Sequence, residues 1–269
     1  MNPIAKDVPE SAVSEAWGRQ MLALFRLFGK SPTVDYLETP LFARWHAGLP
    51  HPYFEGVQVF QPPPEQAAIL IQEQTAYFQA RGAKFLCWWL RPPLVNADWQ
   101  DALYAQGFTF DQGGPWMACV LDELPDSVPC PEGLEIRVVD DGATLGVWTE
   151  TFARGYELQP GWKEPFARIF QALGCDLPLR HYLAFLHGAP AAAGSMFLAE
   201  GVAGIWNVAT VKEARGQGLG GAIVWQSLRD ARQMGYQIAA LESSKMGYSV
   251  YRRLGFREMA CPGNFVKTL

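Results

Sequence analysis

The sequence predicts an α/β (α+β) chain, with mixed sheets flanked by helices and two similar units in tandem. Three observations predict this. A strand, a glycine loop and a helix start follow one another across residues 204–229. The order helix, glycine, strand, helix, Gly-Phe, strand occurs twice, around Gly82 and Gly107 and again around Gly235 and Gly255. Between the copies, residues 125–133 hold Pro125, Pro129 and Pro131 among acidic side chains and read as a linker. The chain therefore divides into 1–124, 125–133 and 134–269.

Taken in order, residues 11–29 come first. Trp17, Met21, Leu22, Leu24, Phe25 and Phe28 fall on one stripe of a helix, and Gly29 stops it. Residues 31–65, rich in proline and aromatics, give no clear pattern until a strand at 54–60, ended by Gln61-Pro62-Pro63-Pro64. A helix over 65–81 with Gly82 as its cap, a strand over 84–90 and a short helix over 98–106 follow. One or two strands occupy 108–121 around Gly113-Gly114. Past the linker come a strand at 134–139, a helix at 143–152, a loop through Tyr156 and Pro160, and a helix at 164–173. Strands at 181–186 and 191–198 lead to a central strand ending at Val211. A strand over 238–243 and a helix around Tyr248–Tyr251 close the second copy.

Composition narrows the function. The chain has 269 residues, 49% of them apolar, enough for a large core, and only 18% charged, against a usual ~25%. No apolar run reaches the ~20 residues of a membrane span, and the N-terminus lacks a signal-peptide layout. A cytoplasmic protein with no membrane partner is expected. Cys87, Cys119, Cys130, Cys175 and Cys261 are scattered and read as reduced core residues. His46, His51, His181 and His187 show no metal-ligand spacing, and the first two are expected in a surface loop. The net charge of −5 comes without a basic stripe, which argues against nucleic acid. The acidic excess lies in residues 1–130 and suits either recruitment of a cationic amine or ordinary solubility.

The glycine loop carries the chemistry. It reads Arg215-Gly216-Gln217-Gly218-Leu219-Gly220-Gly221. The first N–H groups of a helix lack intrahelical partners, and the helix dipole adds positive charge there. Glycines let the backbone approach a ligand, so the arrangement cradles a phosphate or pyrophosphate. Gly216-x-Gly218-x-x-Gly221, with Glu242 some 20 residues on, partly fits a dinucleotide fingerprint. That fingerprint begins at a strand end, whereas Lys212–Arg215 intervene here, and too little chain follows Glu242 for further βαβ units.

Arg215-x-x-Gly218-x-Gly220 resembles the pyrophosphate loop of the GNAT superfamily, the acyl-CoA-dependent N-acyltransferases. The later Tyr251-x-x-Leu254-Gly255-Phe256 is similar to the GNAT helix that carries a catalytic tyrosine. The resemblance covers 134–269; Lys212 stands where the family often has proline. It implies a GNAT fold that binds acetyl-CoA between the strands ending at Val211 and Ser243, which splay apart. Pantetheine would pair with Val208, Ala209 and Thr210. The pyrophosphate would sit on Gly216, Gln217, Gly218, Leu219, Gly220 and Gly221, with charge from Arg215, and Ser244 would line the same site. Tyr251, with Tyr248 as rival, would meet the leaving thiolate, either as hydrogen-bond donor or with a lowered pKa. A backbone N–H near Val208 would stabilise the oxyanion. The base would be Glu242 or a water held by Asn207, with Glu150 and Glu157 flanking the acceptor loop and Tyr156, Trp162 and Trp206 as walls.

The N-terminal unit resembles a worn second copy. It lacks the glycine loop, has prolines before the equivalent helix, and carries Leu103 where the other has Tyr251; no CoA is expected there. The implied function is N-acetyl transfer to a small-molecule amine in a ternary complex, by a monomer or homodimer with no metal. A CoA-binding sensor or partner-binding module without turnover, and a nicotinamide-binding enzyme, are the alternatives.

Overall fold

The computed structural model describes residues 7, 9–60, 63–91, 97–261 and 263–269. The expected turn at Gln61-Pro62 lies outside them. Helix α1 (Glu10–Phe28) is followed by strands β1 (Asp35–Glu38), β2 (Phe42–His46) and β3 (Glu55–Val59). Then come α2 (Ala67–Ala80), β4 (Phe85–Trp89), α3 (Ala97–Ala105), β5 (Thr109–Asp111) and β6 (Trp116–Val120). The later chain forms β7 (Leu134–Val138), α4 (Gly142–Gly155), α5 (Lys163–Leu173), β8 (Leu179–Leu186), β9 (Ala189–Ala199) and β10 (Val202–Thr210). It ends with α6 (Leu219–Gln233), β11 (Ile238–Glu242), α7 (Tyr248–Arg253), β12 (Arg257–Met259) and β13 (Asn264–Thr268).

Two compact units result, and they differ from the contiguous halves expected from the sequence. One combines the chain up to Leu24 with Gly114–Ala260; the other combines Phe25–Gly113 with Cys261–Leu269. The reason is strand pairing. The first unit's seven-stranded sheet has the order β12-β6-β11-β10-β9-β8-β7, and the second unit's six-stranded sheet has β1-β2-β3-β4-β13-β5. In each sheet one parallel pair, β10–β11 or β3–β4, is followed by a strand from the opposite end of the sequence, β6 or β13. The repeat read from the sequence is thus present, with its closing strands exchanged. Residues 125–133 touch the first unit at two points: Trp225 Nε1 donates to Pro125 O at 2.9 Å, and Val128 packs on its core.

In the first unit, α6 and α7 cover one sheet face with Ile223, Leu228, Tyr251 and Leu254 against Ala203, Ile205 and Leu241. Trp148, Phe152, Phe166 and Phe170 of α4 and α5 stack into an aromatic layer that reaches His181. Trp17 of α1 stacks on Trp206 at 5.0 Å, so one face of the Trp206 ring is taken up by packing. In the second unit, Ile71, Phe78, Trp99 and Leu103 pack on Val57, Leu86 and Trp88.

Three sequence expectations change. Residues 31–65 contain β1 and β2, whose alternation proline and aromatics obscured. Only Cys87 and Cys119 are core residues; Cys130 is exposed, and Cys175 and Cys261 are half-buried. His46 closes β2 rather than lying in a loop, and its Nδ1 sits 2.6 Å from the buried Glu55 carboxylate, its register partner. Among the described residues, no helix is long and apolar enough to cross a membrane.

Candidate active site

The site is built along the second half of β10. This strand pairs in parallel with β11 only at Ala203↔Ala239 and Gly204↔Ala240, then runs on to Thr210 without it. The two strands splay, and the β10 edge from Ile205 onward leaves that ladder. On the other edge, Trp206 pairs with Ser195 and Ala209 with Ala193, so Asn207 and Val208 together face Gly194. This is a β-bulge, which takes one residue out of the ladder and sharpens the local twist. Asn207 takes φ 55 there, a left-handed conformation that asparagine tolerates better than most residues. The bulge resets the alternation, so Ile205 and Val208, three apart, both pack toward α6.

Beyond Thr210 a 3-10 turn at Lys212–Ala214 leads into the glycine loop. Gly218 caps α6 at φ 85, where a β-carbon is disfavoured. The first intrahelical donor is Ala222 N, bonded to Gly218 O at 3.0 Å. The N–H groups of Leu219, Gly220 and Gly221 therefore lack helical acceptors and point outward. A β-carbon on Gly220 would meet only Thr210 Oγ1 at 3.5 Å and Val208 Cγ1 at 3.8 Å, ordinary contacts. The protein's own packing does not demand glycine at 220, whereas backbone approach by a ligand would.

Arg215 is engaged elsewhere than expected. Its guanidinium bonds Thr210 O, Gly155 O and the Glu157 carboxylate. That pairing removes Glu157 as a free base, and Glu150 pairs with Lys163. Glu242, at the end of β11, accepts from Gly114 N at 3.0 Å. Tyr156 lies near it: burial, then the Glu242 charge, raise the Tyr156 phenol above its ordinary range. Trp162, half-buried, precedes α5.

Tyr251 and Tyr248 separate clearly. Tyr251 is 8% exposed, and its ring lies over Gly247, where a β-carbon would stand 2.6 Å from Tyr251 Cε2. Burial pushes its phenol up to about 12, the direction opposite to the lowered-pKa alternative. The Tyr248 hydroxyl is bonded to Glu258 on β12. Ser244 is exposed, and its Oγ accepts from Gly247 N at 3.1 Å, so its hydroxyl serves the turn into α7.

Asn207 belongs to a group that sequence reading missed. Its Nδ2 donates to Ser195 Oγ at 3.3 Å, and Ser195 Oγ bonds His181 Nδ1 at 2.8 Å. His181 is fully buried against Trp148, 4.3 Å between rings, and burial pushes its imidazole down to about 4. The available signal was the β8–β9 hairpin, whose register across His187-Gly188 pairs His181 with Ser195.

The second unit differs where a cofactor slot would be. β3 and β4 stay paired through Gln58↔Trp89, the last residue of β4. Leu103, in the place of Tyr251, is fully buried in the core.

Comparison with solved structures places this architecture. A GCN5-related N-acetyltransferase from Kribbella flavida superposes with TM-score 0.67 at 19% identity, covering 92% of this chain and 93% of that one. A GCN5-related N-acetyltransferase from Sphaerobacter thermophilus gives 0.61 at 17%, covering 86% and 82%. A tandem GNAT protein from the clavulanic acid biosynthesis pathway gives 0.59 at 14%, covering 99% and 97%. At such identities the likeness establishes the fold, which is that of a tandem GNAT protein. Residues 147–256, within the first unit, match the model of the acetyltransferase (GNAT) family. The chain has no match among curated proteins.

Proposed function

We propose that the protein is an N-acetyltransferase that moves an acetyl group from acetyl-CoA to the amine of a small molecule. The β10 edge carries this reading. It parts from β11 at Gly204, bulges at Asn207–Val208 and ends beneath the N-terminus of α6. An open strand edge, a displaced backbone N–H and an anion cradle, in that order, suit pantetheine, thioester and pyrophosphate.

Acetyl-CoA supplies an activated acyl group and a thiolate leaving group. Val208, Ala209 and Thr210 offer the strand edge, and Gly216–Gly221 offer the cradle. The Val208 N–H donates to the acyl oxygen as negative charge develops, an effect that grows in a site shielded from water. Glu242, beside Tyr156, holds the cationic amine and takes its proton, directly or through a water on Asn207. The buried Tyr251 phenol donates a hydrogen bond to the departing sulfur. The unbroken β3–β4 pairing supports one cofactor site per chain.

Calorimetric titration with acetyl-CoA, with NADH as control, tests the reading. Wild type should bind acetyl-CoA at one site per chain. Gly218→Asp keeps a residue that tolerates the left-handed conformation and puts a carboxylate in the cradle. It should weaken acetyl-CoA binding by at least about tenfold. Equal affinity in the variant, or binding of NADH in place of acetyl-CoA, would overturn the assignment.

A further inference from the structure

Arg215 immediately precedes the glycine loop, yet its side chain joins three other parts of the first unit. Nε donates to Thr210 O at 3.1 Å, Nη2 donates to Gly155 O at 2.8 Å, and Nη2 lies 2.7 Å from Glu157 Oε1. Thr210 ends β10, Gly155 ends α4, and Glu157 is the second residue beyond α4. Carbonyls at a helix C-terminus lack intrahelical donors and carry partial negative charge, so a guanidinium fits there. Two further observations belong to the same junction. A β-carbon on Gly155 would stand 3.0 Å from the Thr210 carbonyl carbon and 3.1 Å from Ala209 Cβ, so the helix end rests directly on the strand. Glu157 adopts φ 55, which is unusual for a glutamate and is held here against Arg215. Between Gly155 and Glu157 stands Tyr156, half exposed and under the influence of the Glu242 charge.

We propose that Arg215 is a positioning residue for the acceptor side of the site rather than a charge for the pyrophosphate. It ties the phosphate loop to residues 155–157, so that filling the loop stiffens Tyr156 in the place where a primary amine would be received. The coupling rests on the acetyl-CoA reading above; the tie itself does not. Thermodynamic linkage then requires that an amine held at Tyr156 also tighten acetyl-CoA.

Hydrogen exchange and calorimetry on the full chain test this. In ligand-free protein, the amides of 155–158 should exchange about tenfold faster in Arg215→Ala, the size expected for losing a charged hydrogen bond. The surface variant Glu157→Gln should raise them less, and carries the same readings if Arg215→Ala fails to fold. Acetyl-CoA should slow these amides in wild type but not in Arg215→Ala, while its affinity stays within about tenfold of wild type. Unchanged exchange at 155–158, or an affinity loss beyond about tenfold, overturns the proposal. If wild type binds no acetyl-CoA, the functional reading fails, while the ligand-free exchange still decides whether Arg215 holds this segment.

Discussion

Tyr251→Phe removes one oxygen from a buried ring and leaves the packing over Gly247 and against Phe256 in place. The structure sets the expected size. With its phenol pushed up to about 12, transfer of its proton to a thiolate of ordinary pKa, ~8.5, would cost about 5 kcal/mol. On the proposed mechanism Tyr251 then acts as a neutral hydrogen-bond donor. A hydrogen bond to a charged acceptor contributes roughly 1.5–3 kcal/mol, so kcat should fall about 10- to 150-fold. Acetyl-CoA affinity should hold, because the donor matters only as charge gathers on sulfur. Stability should change by less than about 1 kcal/mol, since the ring's packing survives. The assay is thiol release from acetyl-CoA with the primary amine that wild type acetylates fastest, beside calorimetry of acetyl-CoA. The phenol stays protonated from about pH 6 to about pH 10, so no basic limb in that range should come from Tyr251. A wild-type limb near pH 8–9 that vanishes in Tyr251→Phe would refute the argument, as would equal losses of kcat and acetyl-CoA affinity.

Two further outcomes follow from the same geometry. Glu242→Gln retains an oxygen for Gly114 N and removes the proposed base, so kcat should fall about 10²- to 10⁴-fold with the fold intact; a loss under about twofold would assign the proton to another group. His181 is held neutral at about 4 against an ordinary 6.5, so the unfolded chain binds the extra proton first as pH falls. Its stabilising contribution is complete above about pH 6.5 and is lost toward pH 4, some 2 kcal/mol of it between pH 7 and pH 5. Urea unfolding of His181→Gln should show that much less loss over this interval, and an identical pH dependence would contradict the buried neutral imidazole.

Much of the fold was legible because helix and strand periods are local. The stripe of Trp17, Met21 and Phe25 marks α1, and the strand–glycine–helix order marks β10 and α6. The Gly216–Gly221 loop at the start of α6 was equally legible, since the glycine run and the helix start lie in one continuous segment. Tyr251 lies within α7 and Glu242 ends β11, both recognisable elements. Arg215 was found as well, but its partners were not, because Gly155 and Glu157 lie 60 and 58 residues away in sequence. The same holds for Glu242 and Gly114, which meet only because β6 pairs with β11.

The sequence by itself determined the elements, the repeated order, the glycine loop before α6 and the place of Tyr251 within α7, because each is written within a few turns of chain. The tertiary structure alone decided which strand completes each sheet, how far β10 and β11 stay together, and what Arg215, Asn207 and Tyr248 bind. Those outcomes depend on hydrogen-bond ladders and side-chain partners between distant segments. A strand's own residues specify that it is a strand and which face is apolar; they do not name the neighbour that will satisfy its backbone.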